Sequence, residues 1–427
     1  MKNFKFPLYI TLIIIISFMV YRTFIKNNDV TINGWIKYAD SVGRQPIDLI
    51  NMLSDEGISI NFFGPVLSKQ NIGPKVKAVL RNYNFKVGKV FINENLLGYF
   101  SREPYIFDSP LYKMLSKING IDRSKQIWLS YTMYESDKIS PFWVEELNER
   151  YDAAILPDKN LVPVYQNSGV KIPLFVVPLS IDYQDALQKP LKNKANPVFT
   201  FASFSTIEDR KNIIKLLQAF KQAFGKNKDV RLLINARRSE NLYRKKIIDY
   251  IVENDLTNVD YHVIEKNAEE YNKNFDQVDC YVSFSKGEGF SVQPREAMAR
   301  GIPVIVSDSL AQKTIADSGL VGVVHAKIAK IATYWDDTVI MGRNFDVETS
   351  EAAAAMLDIY NNYQKYLSLA PKAREWASRY TYENARSLYV NLVKPKKILL
   401  GDKNEVTDEY LMTNSKILYK KYKDLYK

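Results

Sequence analysis

The stretch Tyr281-Val-Ser-Phe-Ser-Lys-Gly-Glu-Gly-Phe-Ser-Val-Gln-Pro-Arg-Glu-Ala-Met-Ala-Arg-Gly-Ile-Pro-Val-Ile-Val306 decides how the rest of the chain is read. It runs from an apolar strand through a glycine-bearing loop into a helix, and Gly301 then ends the helix before a second apolar strand. Two carboxylates, Glu288 and Glu296, flank the passage from loop to helix. Carboxylates accept hydrogen bonds from hydroxyl groups, and Gly287 and Gly289 let the backbone approach a ligand closely. Amides at a helix start receive phosphate. Pro294 is expected at the first helical position, where its missing N–H costs nothing. The pattern suits a ligand with both hydroxyls and phosphates, such as a sugar nucleotide. Strand–loop–helix units with a Gly and a Pro also occur throughout α/β proteins, so the loop alone leaves both readings open.

Working outward, short apolar runs alternate with helical segments along most of the chain. Strands are expected at Val30–Ile36, Ile58–Phe63, Lys89–Asn93, Ile127–Ser130, Ala153–Leu156 and Leu174–Pro178, with a helix over Pro46–Leu53 after the first. Residues 185–197 hold Pro190, Pro197 and several Lys and Asn without an apolar period, and read as a linker. A second series follows at Val198–Ser203, Val230–Asn235, Asp260–Ile264, Cys280–Phe284 and Pro303–Val306. Between its first two strands, Ile213, Leu216, Leu217, Phe220 and Phe224 recur with helical period. Such alternation argues for parallel sheets covered by helices, hence two doubly wound, Rossmann-like α/β domains.

Glu288-Gly-Phe290, Glu296-Ala-Met-Ala, Gly301 and Pro303-Val-Ile together resemble the Glu-x7-Glu signature of retaining glycosyltransferases of family 4. Trp143–Pro157, Ser168–Asp182 and Tyr380–Asn384 are similar to other parts of that family, so the resemblance spans most of the chain. It implies a GT-B fold, with two domains facing a cleft and a last helix that crosses back to the first domain. Arg295 departs from the pattern, since an apolar residue usually precedes the second glutamate.

The resemblance also implies site roles. Arg210 and Lys211 resemble the basic pair that neutralises the departing diphosphate, helped by the helix dipole; as bare residues they also fit a solvated charge cluster. Glu288 would position the donor sugar and Glu296 the ribose, with Gly287, Gly289 and Phe290 lining the donor site. In the first domain Gly43, in a loop after the first strand, fits either a donor-phosphate contact or a turn. Glu135 follows a strand end, where ligands of open α/β sheets sit; it fits an acceptor-side contact or an exposed loop carboxylate. The family commonly has a histidine on this side. The chain's only two histidines, His262 and His325, are in the second domain, so no catalytic histidine is carried over.

A chain of 427 residues suits two ordinary domains. The single cysteine, Cys280, excludes an intrachain disulfide and a cysteine-based zinc site, and its apolar strand suggests a buried, inert thiol. Phe6–Tyr21 is almost unbroken apolar and, with its edges (residues 6–24), approaches the length of a spanning helix. No small-x-small cleavage site follows, which favours an uncleaved anchor over a signal peptide. The expected organisation is therefore an anchor at 1–27, an acceptor-side domain at 28–184, the linker at 185–197, a nucleotide-sugar-binding domain at 198–375, and a return helix with basic tail at 376–427.

The formal net charge is +11. Most of it reads as solvated lysine, while the Lys- and Tyr-rich tail from Lys394 to Lys427 could rest on anionic lipid. No nucleic-acid-binding motif accompanies the charge. No Asp-x-Asp element is present to hold a metal at a diphosphate, so no required metal or other cofactor is expected, and the nucleotide-diphosphate sugar enters as donor substrate. The absence of Asn-x-Ser/Thr and of disulfides leans toward a cytosolic catalytic domain at a bacterial inner membrane, with a Golgi or ER lumenal enzyme as the alternative. The leading expectation is sugar transfer to a glycan or lipid-linked acceptor with retention, in polysaccharide or glycoconjugate synthesis. A nucleotide-sugar epimerase on the same fold and a degenerate, membrane-tethered binding module are the alternatives.

Overall fold

The computed structural model describes residues 28–38, 41–69, 72–82, 86–94, 121–182, 184–236, 241–264, 268–334, 339–394 and 416–425. The expected anchor at residues 6–24 lies outside the described residues. Among the described residues, no helix is long and apolar enough to cross a membrane.

The first domain is built on β1 (Val30–Asn33), β2 (Ile60–Phe63), β3 (Val90–Asn93), β4 (Ile127–Tyr131), β5 (Ala153–Leu156) and β6 (Leu174–Val176). These form one sheet in the order β2-β1-β3-β4-β5-β6, and every adjacent pair is parallel. Their residues are almost all buried, as expected of a parallel sheet covered on both faces. The second domain repeats the plan with β7 (Phe199–Phe204), β8 (Val230–Ala236), β9 (Val259–Val263), β10 (Cys280–Ser283), β11 (Val304–Ser307) and β12 (Gly322–Val324). Their order is β12-β11-β10-β7-β8-β9, again all parallel. The expected strands are thus all present, with ends shifted by a few residues. Cys280 is fully buried in β10, where burial pushes its thiol well up and keeps it inert.

Helix Ile213–Phe224 shows why the second sheet holds together. Its stripe of Ile213, Leu216, Leu217 and Phe220 is buried against that sheet. Each such side chain contributes about 1.5–3 kcal/mol relative to exposure.

Several local expectations are corrected. Pro46 lies inside helix Ser41–Asp55, which starts earlier than expected, so Gly43 sits in its first turn and not in a loop. A Cβ on Gly43 would lie 2.9 Å from both the Lys37 carbonyl and the Trp35 ring, so glycine is needed there for the preceding loop to fold over the helix. Helix Val292–Ala299 begins two residues before Pro294, after Ser291 in the left-handed region (φ 65), so Pro294 is third in the helix. The linker contains a short helix, Gln184–Gln188, and is tied to the second domain where Lys192 and Asn196 bond to the buried Asp279.

One element was not foreseen. β13 (Ala326–Tyr334) and β14 (Val339–Val347) form a separate antiparallel hairpin that leaves the second domain and docks on the first. Met341 is fully buried within the first domain's apolar cluster. Ser136 Oγ donates to the Met341 carbonyl, Tyr134 Oη donates to the Thr333 carbonyl at 3.2 Å, and Arg343 pairs with Asp137 at 3.0 Å.

The chain then returns. Helix Tyr363–Ser378 runs through the expected boundary at 375, and helix Tyr382–Val393 crosses to the first domain to pack on Ser41–Asp55. Tyr389 Oη, buried there, accepts from Gln45 at 2.5 Å and donates to the Pro178 carbonyl at 2.8 Å. In the tail, helix Lys416–Leu425 buries Leu418 and Tyr422 and pairs Lys421 with Asp152 at 2.7 Å, so this part docks on protein.

Candidate functional site

The C-terminal ends of the first sheet's strands face the second domain, and the site forms where they meet the loops after β7 and β10. The two second-domain loops are stitched together by backbone groups. Lys286 N–H donates to the Arg210 carbonyl at 2.9 Å, and Arg210 Nη1 donates to the Gly287 carbonyl at 2.8 Å. Asn212 follows in the left-handed region (φ 59), which Asn tolerates better than most residues. Its side chain donates to the Phe284 carbonyl at 3.0 Å and to Asp346 at 2.7 Å, locking the start of helix Ile213–Phe224.

This brings Arg210, Lys211 and Glu288 together. Lys211 Nζ lies 2.6 Å from Glu288 Oε1, and Arg210 Nη1 lies 3.1 Å from Glu288 Oε2. Burial alone would raise the Glu288 pKa, but Lys211 and Arg210 together bring it down to about 2, so it is ionised at neutral pH. Arg210 also pairs with Glu208 at 2.7 Å and, across the domain boundary, with Glu135 at 3.4 Å. Glu135 is therefore a cleft residue and not a free loop carboxylate; burial, only partly offset by Arg210, pushes its pKa up. A second pair, Lys286 with Asp209 at 2.5 Å, extends the cluster.

Glu296 lies apart from this cluster. It accepts a hydrogen bond from Tyr271 Oη at 2.6 Å, and Arg44 of the first domain is within its electrostatic reach. The two motif glutamates thus address different parts of the cleft, one beside the cations and one deeper toward helix Ser41–Asp55. The Phe290 side chain corrects the expectation of a donor contact: it is 2% exposed, meets Tyr380 edge to face and lies beneath Arg295.

The glycines are explained by close approach. A Cβ on Gly287 would come within 2.3 Å of the Glu135 carbonyl oxygen, and one on Gly289 within 2.6 Å of Met133 Sδ. The first obstacle is backbone, and the second is the Met133 side chain, whose Sδ and Cγ can turn aside while its Cβ at 3.0 Å is held by the backbone. Gly287→Ala should therefore lower stability by about 1–3 kcal/mol through overpacking. Gly289→Ala should cost clearly less, and thermal melts of the two variants compare them directly.

Arg295 receives an account that its sequence context did not suggest. It is fully buried and pairs with the first domain's Asp158 at 3.2 Å. Asp158 also accepts from Thr314 at 2.8 Å, and Asn160 donates to Thr314 at 2.8 Å. The motif helix is thereby tied to the opposite domain. Glu208, Lys286, Asp209, Tyr271 and Arg44 were not foreseen as site residues; only Glu208 had a sequence signal, its place two residues before Arg210. Among the described residues no group of three or more His, Cys, Asp or Glu could hold a metal ion. His325 pairs with Asp308 at 2.6 Å on the exposed face of the second domain.

Residues 184–332 match the family model of glycosyl transferases group 1. That stretch contains the cation pair, both motif glutamates and the first seven residues of β13 (326–332). No curated protein matches the chain. Among solved structures, Anabaena Alr3699/HepE in complex with UDP and glucose is 14% identical, with a TM-score of 0.58, over 85% of this chain and 99% of that one. A glycosyltransferase from Rickettsia africae is 12% identical, with a TM-score of 0.57, over 86% and 99%. A mutant of S. aureus TarM, solved with Fondaparinux, alpha-GlcNAc-glycerol and UDP, is 14% identical with a TM-score of 0.51, over 75% of this chain and 58% of that one. At these identities the similarity establishes the fold, two facing Rossmann-like domains of the GT-B type.

Proposed function

We propose that the protein is a retaining glycosyltransferase of family 4, moving a sugar from a nucleotide diphosphate to a hydroxyl of a glycan or lipid-linked acceptor. The observation that carries this is the convergence of Arg210 and Lys211 on Glu288, inside the stretch that matches glycosyl transferases group 1. A leaving diphosphate needs compensating charge where it departs, and this preorganised cation pair would supply it. Glu288, kept ionised, would take hydroxyls of the donor sugar, and Glu296 those of the ribose. The Anabaena neighbour's complex with UDP and glucose supports a UDP-sugar as the first donor to try.

In a retaining, front-face displacement the bond from the sugar's anomeric carbon to the diphosphate oxygen breaks as the acceptor oxygen attacks from the same side. The acceptor proton passes to the departing phosphate. Arg210 and Lys211 stabilise the charge on that phosphate, so the reading needs no metal. Incubating the full chain with UDP-sugars and a glycoside panel, with EDTA present, and reading the product anomer by NMR tests these points together. The expected product keeps the donor's anomeric configuration. An inverted product would sink retention, release of an epimerised donor without transfer would favour the epimerase, and UDP binding without turnover would favour the binding module.

We further place the protein at a membrane through residues 6–24, with its catalytic domains in the cytosol of a bacterium and a role in surface polysaccharide or glycoconjugate synthesis. This rests on the apolar run at the amino terminus and on the absence of glycosylation acceptors.

A further inference from the structure

Glu94 is the first residue beyond β3, on the same edge of the sheet that faces the second domain. It is 6% exposed, and among the described residues neither of its carboxyl oxygens has a hydrogen-bond partner. Its backbone is committed, with N–H donating to the Asn33 carbonyl at 2.8 Å. The groups around the side chain are committed as well. Asp48 accepts from Ser180 at 2.7 Å, Tyr131 Oη donates to the Val177 carbonyl at 2.8 Å, and Tyr389 Oη donates to the Pro178 carbonyl at 2.8 Å. Asp48 is the charged neighbour that acts on Glu94, and it acts in the same sense as burial, pushing the carboxyl well above its usual range. A buried polar group with no partner is costly and rare, and calls for a partner supplied from outside the fold.

The position says where that partner would lie. β3 sits between β1 and β4 in the sheet. Past the end of β4, the loop carries Met133 and Glu135, which pack against Gly289 and Gly287 of the second domain. Past the end of β1, Gly34 approaches Glu94 so closely that a Cβ there would lie 3.2 Å from Oε2, and the helix that follows brings Arg44 toward Glu296. Glu94 is thus flanked on both sides by segments that reach the two motif glutamates. Burial and Asp48 both favour its neutral form, which offers one O–H donor and one carbonyl acceptor. That is the complement of an alcohol. A site built for a cation would hold its carboxylates ionised.

We propose that Glu94 is the acceptor-binding carboxyl of the cleft, hydrogen-bonding a hydroxyl of a neutral, sugar-like acceptor seated between the ends of β1, β3 and β4. This rests on the donor reading above, in which the opposite wall of the cleft holds the nucleotide sugar.

The test uses the full chain in detergent, with UDP as the donor-side probe and methyl glycosides of glucose, galactose and N-acetylglucosamine as acceptor-side probes, followed by saturation-transfer NMR. Glu94→Met should weaken glycoside binding to the UDP-loaded protein by about tenfold or more while UDP affinity stays within about twofold. Glu94→Gln, which keeps one donor and one acceptor, should remain within about threefold of wild type. Removing an unpartnered buried carboxyl should also raise the melting temperature of Glu94→Met by a few degrees. Unchanged glycoside binding by Glu94→Met overturns the proposal, and so does a fall in its melting temperature, which would mark a structural role. Preferential, Glu94-dependent binding of spermidine or magnesium overturns the hydroxyl assignment, as does a UDP-loaded wild type that binds no glycoside. Failure of the wild type to bind UDP or any UDP-sugar overturns the donor reading itself.

Discussion

Lys211→Ala is expected to lower kcat for sugar transfer by about 100- to 1,000-fold, the usual loss when one preorganised charge-stabilising group is removed. Lys211 lies 2.6 Å from Glu288, in a cluster that is largely shielded from water. On the proposed reading, a charge developing there on the leaving phosphate would meet a fixed cation and not a reorganising solvent. Arg210 is itself shared among Glu135, Glu208 and Glu288, so it cannot take over the missing charge. Because the interaction strengthens as the bond breaks, the loss should fall mainly on kcat and less on KM for the donor. Lys211→Arg should recover only part of the rate, since a planar fork does not replace a compact ammonium at a site shaped for it. Transfer by Lys211→Ala within a few-fold of wild type would sink the assignment.

The largest stability effect is expected at Arg295. Arg295→Ala should destabilise the protein by about 3–5 kcal/mol, because it leaves the buried Asp158 facing an empty site across the domain boundary. The guanidinium also stacks over Phe290 at 3.9 Å and Tyr380 at 4.7 Å, so packing is lost with the charge. The double variant Arg295→Met with Asp158→Leu should recover part of that stability, because no charge is then left buried alone while Thr314 and the Asn160 amide lose their acceptor. Denaturant unfolding of the two variants decides the matter. An Arg295→Ala midpoint equal to wild type would show that the pair contributes nothing to joining the domains.

The two sheets were legible because each strand is a short apolar run bounded by turn residues, and the second helical stripe keeps an unbroken period from Ile213 to Phe224. The cation pair and the two glutamates stood out by resemblance to a family pattern, and the fold brings Arg210, Lys211 and Glu288 within ion-pair distance. Arg295 was visible only as an anomaly, since its partner Asp158 is 137 residues away and nothing local announces the pairing. The hairpin was missed for a different reason. Its first strand places Ile328 and Ile331 three apart, and the pairing register shifts between Ala326 and Ile328 and again between Ile331 and Thr333. Those irregularities break the alternation by which a half-buried strand is recognised. Glu94 carried no motif; only the fold shows that its carboxyl is buried without a partner among the described residues.

The hairpin of β13 and β14 carries a consequence for how the domains are joined. Its chain belongs to the second domain, yet Met341, Thr333 and Arg343 fasten it to the first, while at its base Phe345 N–H donates to the Lys286 carbonyl at 2.8 Å and Asp346 accepts from Asn212 at 2.7 Å. Any relative movement of the two domains would load the hairpin between these two attachments. At one root Asp346 holds Asn212, the residue immediately after the Arg210–Lys211 pair. One hairpin therefore reaches both the edge of the first domain and the residue beside Arg210 and Lys211, so a substitution at its root is expected to be felt at both places.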